Sequence, residues 1–206
     1  MYNSRFEEYF SSKFPKRQLK KPLFYNFPYG LRFDLKYYEM GEVEGCIRSK
    51  KLFEAVHSPD DSMYLITFVD QDIDESKIDC DNVILDNYNK YLDFKCDYAD
   101  LNCKQVPYRY YDIYDELDEV ITYRYDLSFE VSRFNYEQFI NEKIYGNYYG
   151  DMYIINQNKD IIFDLYDRRG VDIISKERNT LLEIYHKFNV WILDHDREKI
   201  DNTFKL

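Results

Sequence analysis

Asp164, Asp167, Arg168, Arg169 and Asp172 crowd around Gly170 in one short stretch of the chain. Arginines flanked by acids can build a polar recognition site, because a guanidinium fork pairs with oxyanions. A glycine there can take a positive φ. The same residues also fit a plain hairpin in which Asp167 bonds its own backbone and the arginines pair locally. A second group is Asp194-His195-Asp196, with His186 upstream. Histidine titrates near neutrality, and carboxylates can orient it. Neighbouring residues on a helix face different ways, however, so these three do not converge by spacing alone. Asp194 and Asp196 also suit a helix cap and first turn. The catalytic candidates are therefore Asp164, Asp167, Arg168 and His195.

Metal chemistry finds little support. With 3 histidines in the chain, a multi-histidine site is not expected. The stretch Asp70 to Asp81 places carboxylates at the first, third and fifth positions, as a calcium loop does. Glu75 stands where that loop needs glycine, Lys77 at an apolar place and Asp81 where glutamate closes the site. Cys46, Cys80, Cys96 and Cys103 form no Cys-x-x-Cys pair and read as reduced thiols. Glycine-rich phosphate loops, Gly-x-Ser-x-Gly and His-Glu-x-x-His are absent from the sequence. No metal and no cofactor are expected.

Charge is unevenly spread. Residues 1–37 carry a net +5, residues 38–69 carry −3, residues 70–119 carry −10 and residues 120–206 carry −3. A field of that strength steers a basic partner, and it argues against nucleic acid, whose phosphates select lysine and arginine. Asp112, Asp115, Glu116, Asp118 and Glu119 are the candidate binding residues. The 23 tyrosines offer rings with polar tips, although many sit in ordinary strand patterns. No apolar run approaches the length of a membrane span, and the N-terminus has acids where a signal peptide needs an apolar stretch. A cytoplasmic protein without membrane contact is expected.

The elements that must position these residues follow from periodicity. A short helix near 2–14 places Phe6, Tyr9 and Phe10 on one face, and the basic link 15–22 follows. Residues 31–35 alternate as a half-buried strand does. A helix over 42–57 puts Val43, Cys46, Ile47, Phe53 and Val56 near one face. Residues 63–69 read as a buried strand and 82–92 as a helix, whereas 93–119 show no element. A strand over 120–131 precedes a capping box at Asn135–Gln138, with a helix behind it. Residues 152–156, 161–166 and 171–174 form three short strands joined by hairpins, an antiparallel meander. Leu181, Ile184, Tyr185 and Phe188 then mark a helix, Trp191 is expected to be largely buried against the sheet, and a last helix runs over 194–204. The fold class is α+β: one domain over 1–206, with helices mostly on one side of an antiparallel sheet and a less regular acidic insertion at 70–119.

The run Tyr153-Ile-Ile-Asn156, then Ile161-Ile-Phe-Asp-Leu-Tyr-Asp-Arg-Arg-Gly-Val-Asp-Ile-Ile174, Tyr185 and Trp191-Ile-Leu-Asp194 resembles the C-terminal part of the bacterial domain of unknown function 3885 family. Leu31-Arg-Phe-Asp-Leu35 resembles its N-terminal strand. The resemblance implies a fold and supplies little chemistry. The family's turn more often reads Tyr-Asp-Asp-Arg-Gly; here Arg168 takes the second acidic place, so if two adjacent acids there bind a metal, this chain has lost one of them.

Two functions follow from this reading. The first is a protein-interaction module that holds a basic protein on its acidic surface, in the manner of an immunity protein. The second is a hydrolase or transferase with a polar site near the 164–172 hairpin.

Overall fold

The computed structural model describes residues 5–72, 77–108 and 120–205, the side chains of 77 and 78 excepted. Seven strands, β1 (Tyr29–Asp34), β2 (Ser62–Asp72), β3 (Asn102–Val106), β4 (Val120–Glu130), β5 (Asp151–Asn156), β6 (Ile161–Asp167) and β7 (Gly170–Ser175), make one sheet in the order β1-β7-β6-β5-β2-β4-β3. Every neighbouring pair is antiparallel. The expected meander is present, since β5, β6 and β7 are consecutive neighbours.

Successive side chains on a strand point to opposite faces, and here both faces are covered. Leu65, Ile154, Phe163 and Ile173 join one core; Ile66, Ile155, Ile162 and Ile174 join the other. That is why these strands read as unbroken apolar runs rather than alternating ones. The first face packs against α2 (Tyr37–Val56), α3 (Lys77–Tyr91), α4 (Tyr136–Tyr145), α5 (Leu182–Lys187) and α6 (Arg197–Phe204). The second packs against α1 (Arg5–Lys13) and the chain after it, through Phe6, Phe14, Leu19, Leu23 and Phe27. The basic link is thus a strap laid across the sheet.

Several local expectations hold, and others are corrected. The Asn135 side chain accepts a hydrogen bond from the Gln138 backbone at 3.1 Å and caps α4. In α2, Val43 and Ile47 are 67% and 43% exposed; the buried stripe is Gly45, Arg48, Ser49, Leu52, Phe53 and Val56. That stripe keeps the i, i+3, i+4 spacing of a helical face, and Gly45 faces the Ile144 side chain. The stretch expected to lack elements contributes β3, an edge strand paired to β4 and largely exposed or half-buried, which hides any apolar alternation. The last helix begins as a 3-10 turn over Asp194–Asp196. Trp191 is half-buried rather than buried. Its ring lies 4.9 Å from that of Phe188 with the Arg48 guanidinium 5.0 Å above, and Ile192 takes the core place beside Phe33.

His57, at the end of α2, stacks on Phe53 at 4.0 Å and is fully enclosed. Burial pushes its pKa down to about 4, despite the bond of its Nδ1 to the Phe53 carbonyl. Between about pH 6.5 and pH 4 the unfolded chain binds a proton at this residue that the folded one refuses, so acidification destabilises the fold across that window and no further below it. From pH 7 to 4.5 the wild type should lose about 2 kcal/mol more than His57→Phe in urea unfolding. Equal losses in the two proteins would refute this assignment.

Candidate functional site

The sequence places Arg32, Asp172 and Asp164 inside apolar strands, and the register sets them in one row on the second face. Arg32 faces Asp172, and Asp172 faces Asp164. The Arg32 guanidinium donates Nε and Nη2 to the two carboxylate oxygens of Asp172, each at 2.7 Å, and the Phe24 backbone N–H adds a third bond at 3.0 Å. Arg32 also lies 3.6 Å from Asp196, which accepts from the Tyr25 hydroxyl at 2.7 Å. The rings of Phe24, Tyr25 and Tyr166 surround its guanidinium.

Asp164 has no such partner. It is 1% exposed, and neither of its carboxylate oxygens accepts a hydrogen bond. Burial pushes its pKa well above the carboxylate range; Lys21 works against that rise and Asp172 adds to it. Lys21, on the strap, donates to Asp151. Burial weakens the Lys21 ammonium, but Asp151 and Asp164 outweigh that and hold its pKa above the ordinary lysine value.

Pairing between β5 and β6 stops at Ile154 and Phe163, although β5 follows β2 to Asp151. Over β1, β7 and the end of β6 lies a cavity of 690 Å³ lined by Lys21, Arg32, Asp164, Asp167, Arg169 and Asp172, among others. Exposed Tyr38 and Glu39 also line it, so it reaches from solvent to the buried row. A second chamber of 600 Å³ shares Tyr38, Asp167 and Arg169 with the first and adds Lys143, Tyr148 and Arg168. Lys143 is 1% exposed, its Nζ has no hydrogen-bond acceptor, and it sits 3.6 Å from the centroid of the Tyr148 ring. Burial, with Lys21 second, pushes its pKa down, against the pull of Asp164 and Asp151.

Asp164 and Asp167 therefore both line the first chamber, and Arg168 lines the second. Asp167 accepts the Arg169 backbone N–H at 2.7 Å and also pairs with its guanidinium, as the plain hairpin predicts. Arg168 leaves the hairpin to stack on Tyr37 at 4.6 Å. Gly170 does not use the positive φ open to glycine. It is small because a Cβ there would strike the Tyr166 hydroxyl and the Phe33 carbonyl. His195 is exposed and lines neither chamber, and His186 is exposed as well. Asp196 is buried on Arg32 and Tyr25 and makes no side-chain cap bond, so its role is not that of a cap. Of the calcium-like stretch, Asp70 and Asp72 lie on β2 and Asp81 accepts from the Tyr125 hydroxyl at 2.7 Å. Among the described residues no group of three potential metal ligands comes together. Asp112, Asp115, Glu116, Asp118 and Glu119 lie outside the described residues.

The fold and the site define an α+β protein with two adjoining cavities beside a buried row of charges in an antiparallel sheet. The chain belongs to the family described as domain of unknown function DUF3885, which matches residues 6–196, well beyond the C-terminal third. It is 32% identical over 62 residues to the uncharacterized protein YnaE of Bacillus subtilis (strain 168), a match that spans 29% of each chain. No solved structure matches. Among the described residues, no helix is long and apolar enough to cross a membrane.

The two neighbouring aspartates should respond oppositely to amidation. Asp172→Asn strips a buried guanidinium of its main partner and should cost about 3–5 kcal/mol. Asp164→Asn removes a buried carboxylate that has no partner. Because the folded pKa of Asp164 is raised, the unfolded chain ionises first as pH climbs, and the wild type loses stability between the ordinary carboxylate pKa and the raised value. Thermal midpoints of the wild type and Asp164→Asn should thus converge near pH 3.5, with the variant higher at pH 8. A variant less stable than the wild type at pH 8 would contradict this account.

Proposed function

We propose that this chain binds a small polar molecule in the two adjoining cavities and acts on it by acid–base chemistry, as a hydrolase or transferase would. One observation carries the reading: a carboxylate that is 1% exposed and bonded by no donor forms part of the wall of a cavity open to solvent. Such a group costs stability unless something occupies its oxygens. Titratable groups kept in that condition concentrate where a ligand is bound and protons are moved. Asp164 would hold the proton, Lys21 would modulate it, and Asp167 with Arg169 would position the ligand where the chambers adjoin.

A panel of phosphorylated, carboxylated and amino-bearing metabolites, screened by thermal shift, tests the reading. At least one should raise the unfolding midpoint of the wild type and bind Asp164→Asn at least about tenfold more weakly. Turnover of that compound should fall by about 10²–10⁴ in the variant. Hits that bind the variant as tightly as the wild type would count decisively against Asp164.

The acidic stretch supports a second reading, a docking surface for a basic protein. Asp79, Asp86, Asp97 and Asp100 are all exposed on the described part of it. Replacing Asp112, Asp115, Glu116, Asp118 and Glu119 by Asn or Gln should then slow association and flatten its salt dependence, while ligand binding in the cavity stays unchanged. A basic partner whose on-rate ignores both the substitutions and added salt would eliminate this reading.

A further inference from the structure

Lys143 is the least explained charge in the described structure. Its ammonium is almost wholly removed from water, accepts no compensation from a carboxylate within bonding distance, and has only the face of Tyr148 against it. It stands on the wall of the second chamber, beside Arg168 and Arg169. Arg168 donates Nη1 to the Tyr37 hydroxyl at 3.0 Å, which leaves its Nε and Nη2 without acceptors among the described residues. Arg169 is already bound by Asp167, the one acid of that chamber. With Lys143 protonated, as it becomes beside an anion, three basic groups facing one engaged carboxylate give an excess positive charge of two, which suits a dianion rather than a single carboxylate.

Size refines the choice. A chamber of 600 Å³ is far larger than one ion requires, and it adjoins the 690 Å³ chamber, with Tyr38, Asp167 and Arg169 in the walls of both. The occupant needs an anionic end and an organic body long enough to reach the row of Asp164. Resting on the ligand-binding reading above, we propose that the second chamber is an oxyanion subsite that takes the phosphate of a small phosphate monoester, with the remainder of the molecule in the first chamber. Lys143 and Arg168 contact the phosphate, and Tyr38 flanks the organic part. A dianion beside Lys143 favours its ammonium form, so binding at mildly alkaline pH is accompanied by proton uptake.

Isothermal titration of the full chain with phenyl phosphate, and separately with inorganic phosphate and with phenol, tests this. Phenyl phosphate should bind more tightly than either fragment, with proton uptake at pH 8 seen as a dependence of the heat on buffer ionisation enthalpy. Arg168→Gln, at an exposed position where folding is not at risk, should raise Kd at least about tenfold. Lys143→Met should do the same and abolish the proton uptake, whereas Lys50→Gln, at a partly exposed lysine paired with Glu137 and in neither chamber wall, should change nothing. Undetectable binding of phenyl phosphate up to about 10 mM, or equal affinity in the wild type and Arg168→Gln, would overturn the subsite. A compound without phosphate that binds in an Asp164-dependent way, with phenyl phosphate unbound, removes the subsite and leaves the cavity reading standing. Phenyl phosphate whose binding needs Arg168 but not Asp164 does the reverse.

Discussion

A sheet covered on both faces leaves a charged side chain in the middle of a strand little access to water. Arg32, Asp172 and Asp164 all occupy such places, one row across three adjacent strands. The fold tolerates Arg32 and Asp172 because their planar groups meet in a fork and the Phe24 N–H completes the carboxylate. A buried pair of this kind adds little net stability, but removal of either half is costly. It therefore acts as a constraint on assembly. The strap, the edge strand β1, the neighbour β7 and the turn carrying Asp196 must all arrive together, since each supplies one contact to the same guanidinium or its carboxylate.

The third charge in the row follows from the first two. Asp164 and Asp172 are directly opposed, an arrangement that like charges resist. Arg32 is committed to Asp172, and its other approach is taken by Asp196 and by aromatic rings. Asp164 is left with longer-range help from Lys21 and Lys143, which approach from opposite faces of the sheet. Next to Asp164, beyond Ile154 and Phe163, β5 and β6 part. The cavity, the unpartnered carboxylate and the unpartnered ammonium thus lie together where the charges of the sheet are least satisfied.

Much of the fold was legible because its signals are local. The meander, the Asn135 cap and the inward face of Leu181, Ile184, Tyr185 and Phe188 need only short apolar runs and turn chemistry. Asp164, Asp167 and Arg168 were visible as a polar turn, and the structure puts all three on the chamber walls. His195 was attractive by residue type alone, and an exposed 3-10 turn removes it from the chambers. Lys21, Arg32 and Lys143 do not stand out in the sequence because each fits another role: a basic link, an alternating strand and a helix surface. One signal was present for Lys143, which stands three residues after Ile140 on the apolar face of α4. For Arg32 and Asp172 the signal is a charge within a strand whose neighbours on both faces are apolar, and it becomes readable only once the strap is known to cover the second face.

Asp164 and Asp172 differ by nothing in residue type and little in burial, yet they serve opposite ends. What separates them is the position of their strands. β7 lies between β6 and β1, so Asp172 meets a basic side chain fixed by the sheet register itself. β6 lies one strand further from β1, so Asp164 has no such side chain opposite it and its oxygens stand in a cavity wall without a donor. Register therefore decides which carboxylate is structural and which is available. A ligand that satisfies Asp164 and Lys143 together restores to this part of the sheet the charge balance that Arg32 provides on the other side. Binding and local stability are then coupled by the same electrostatics, and the cavity is the part of the core that the chain itself does not complete.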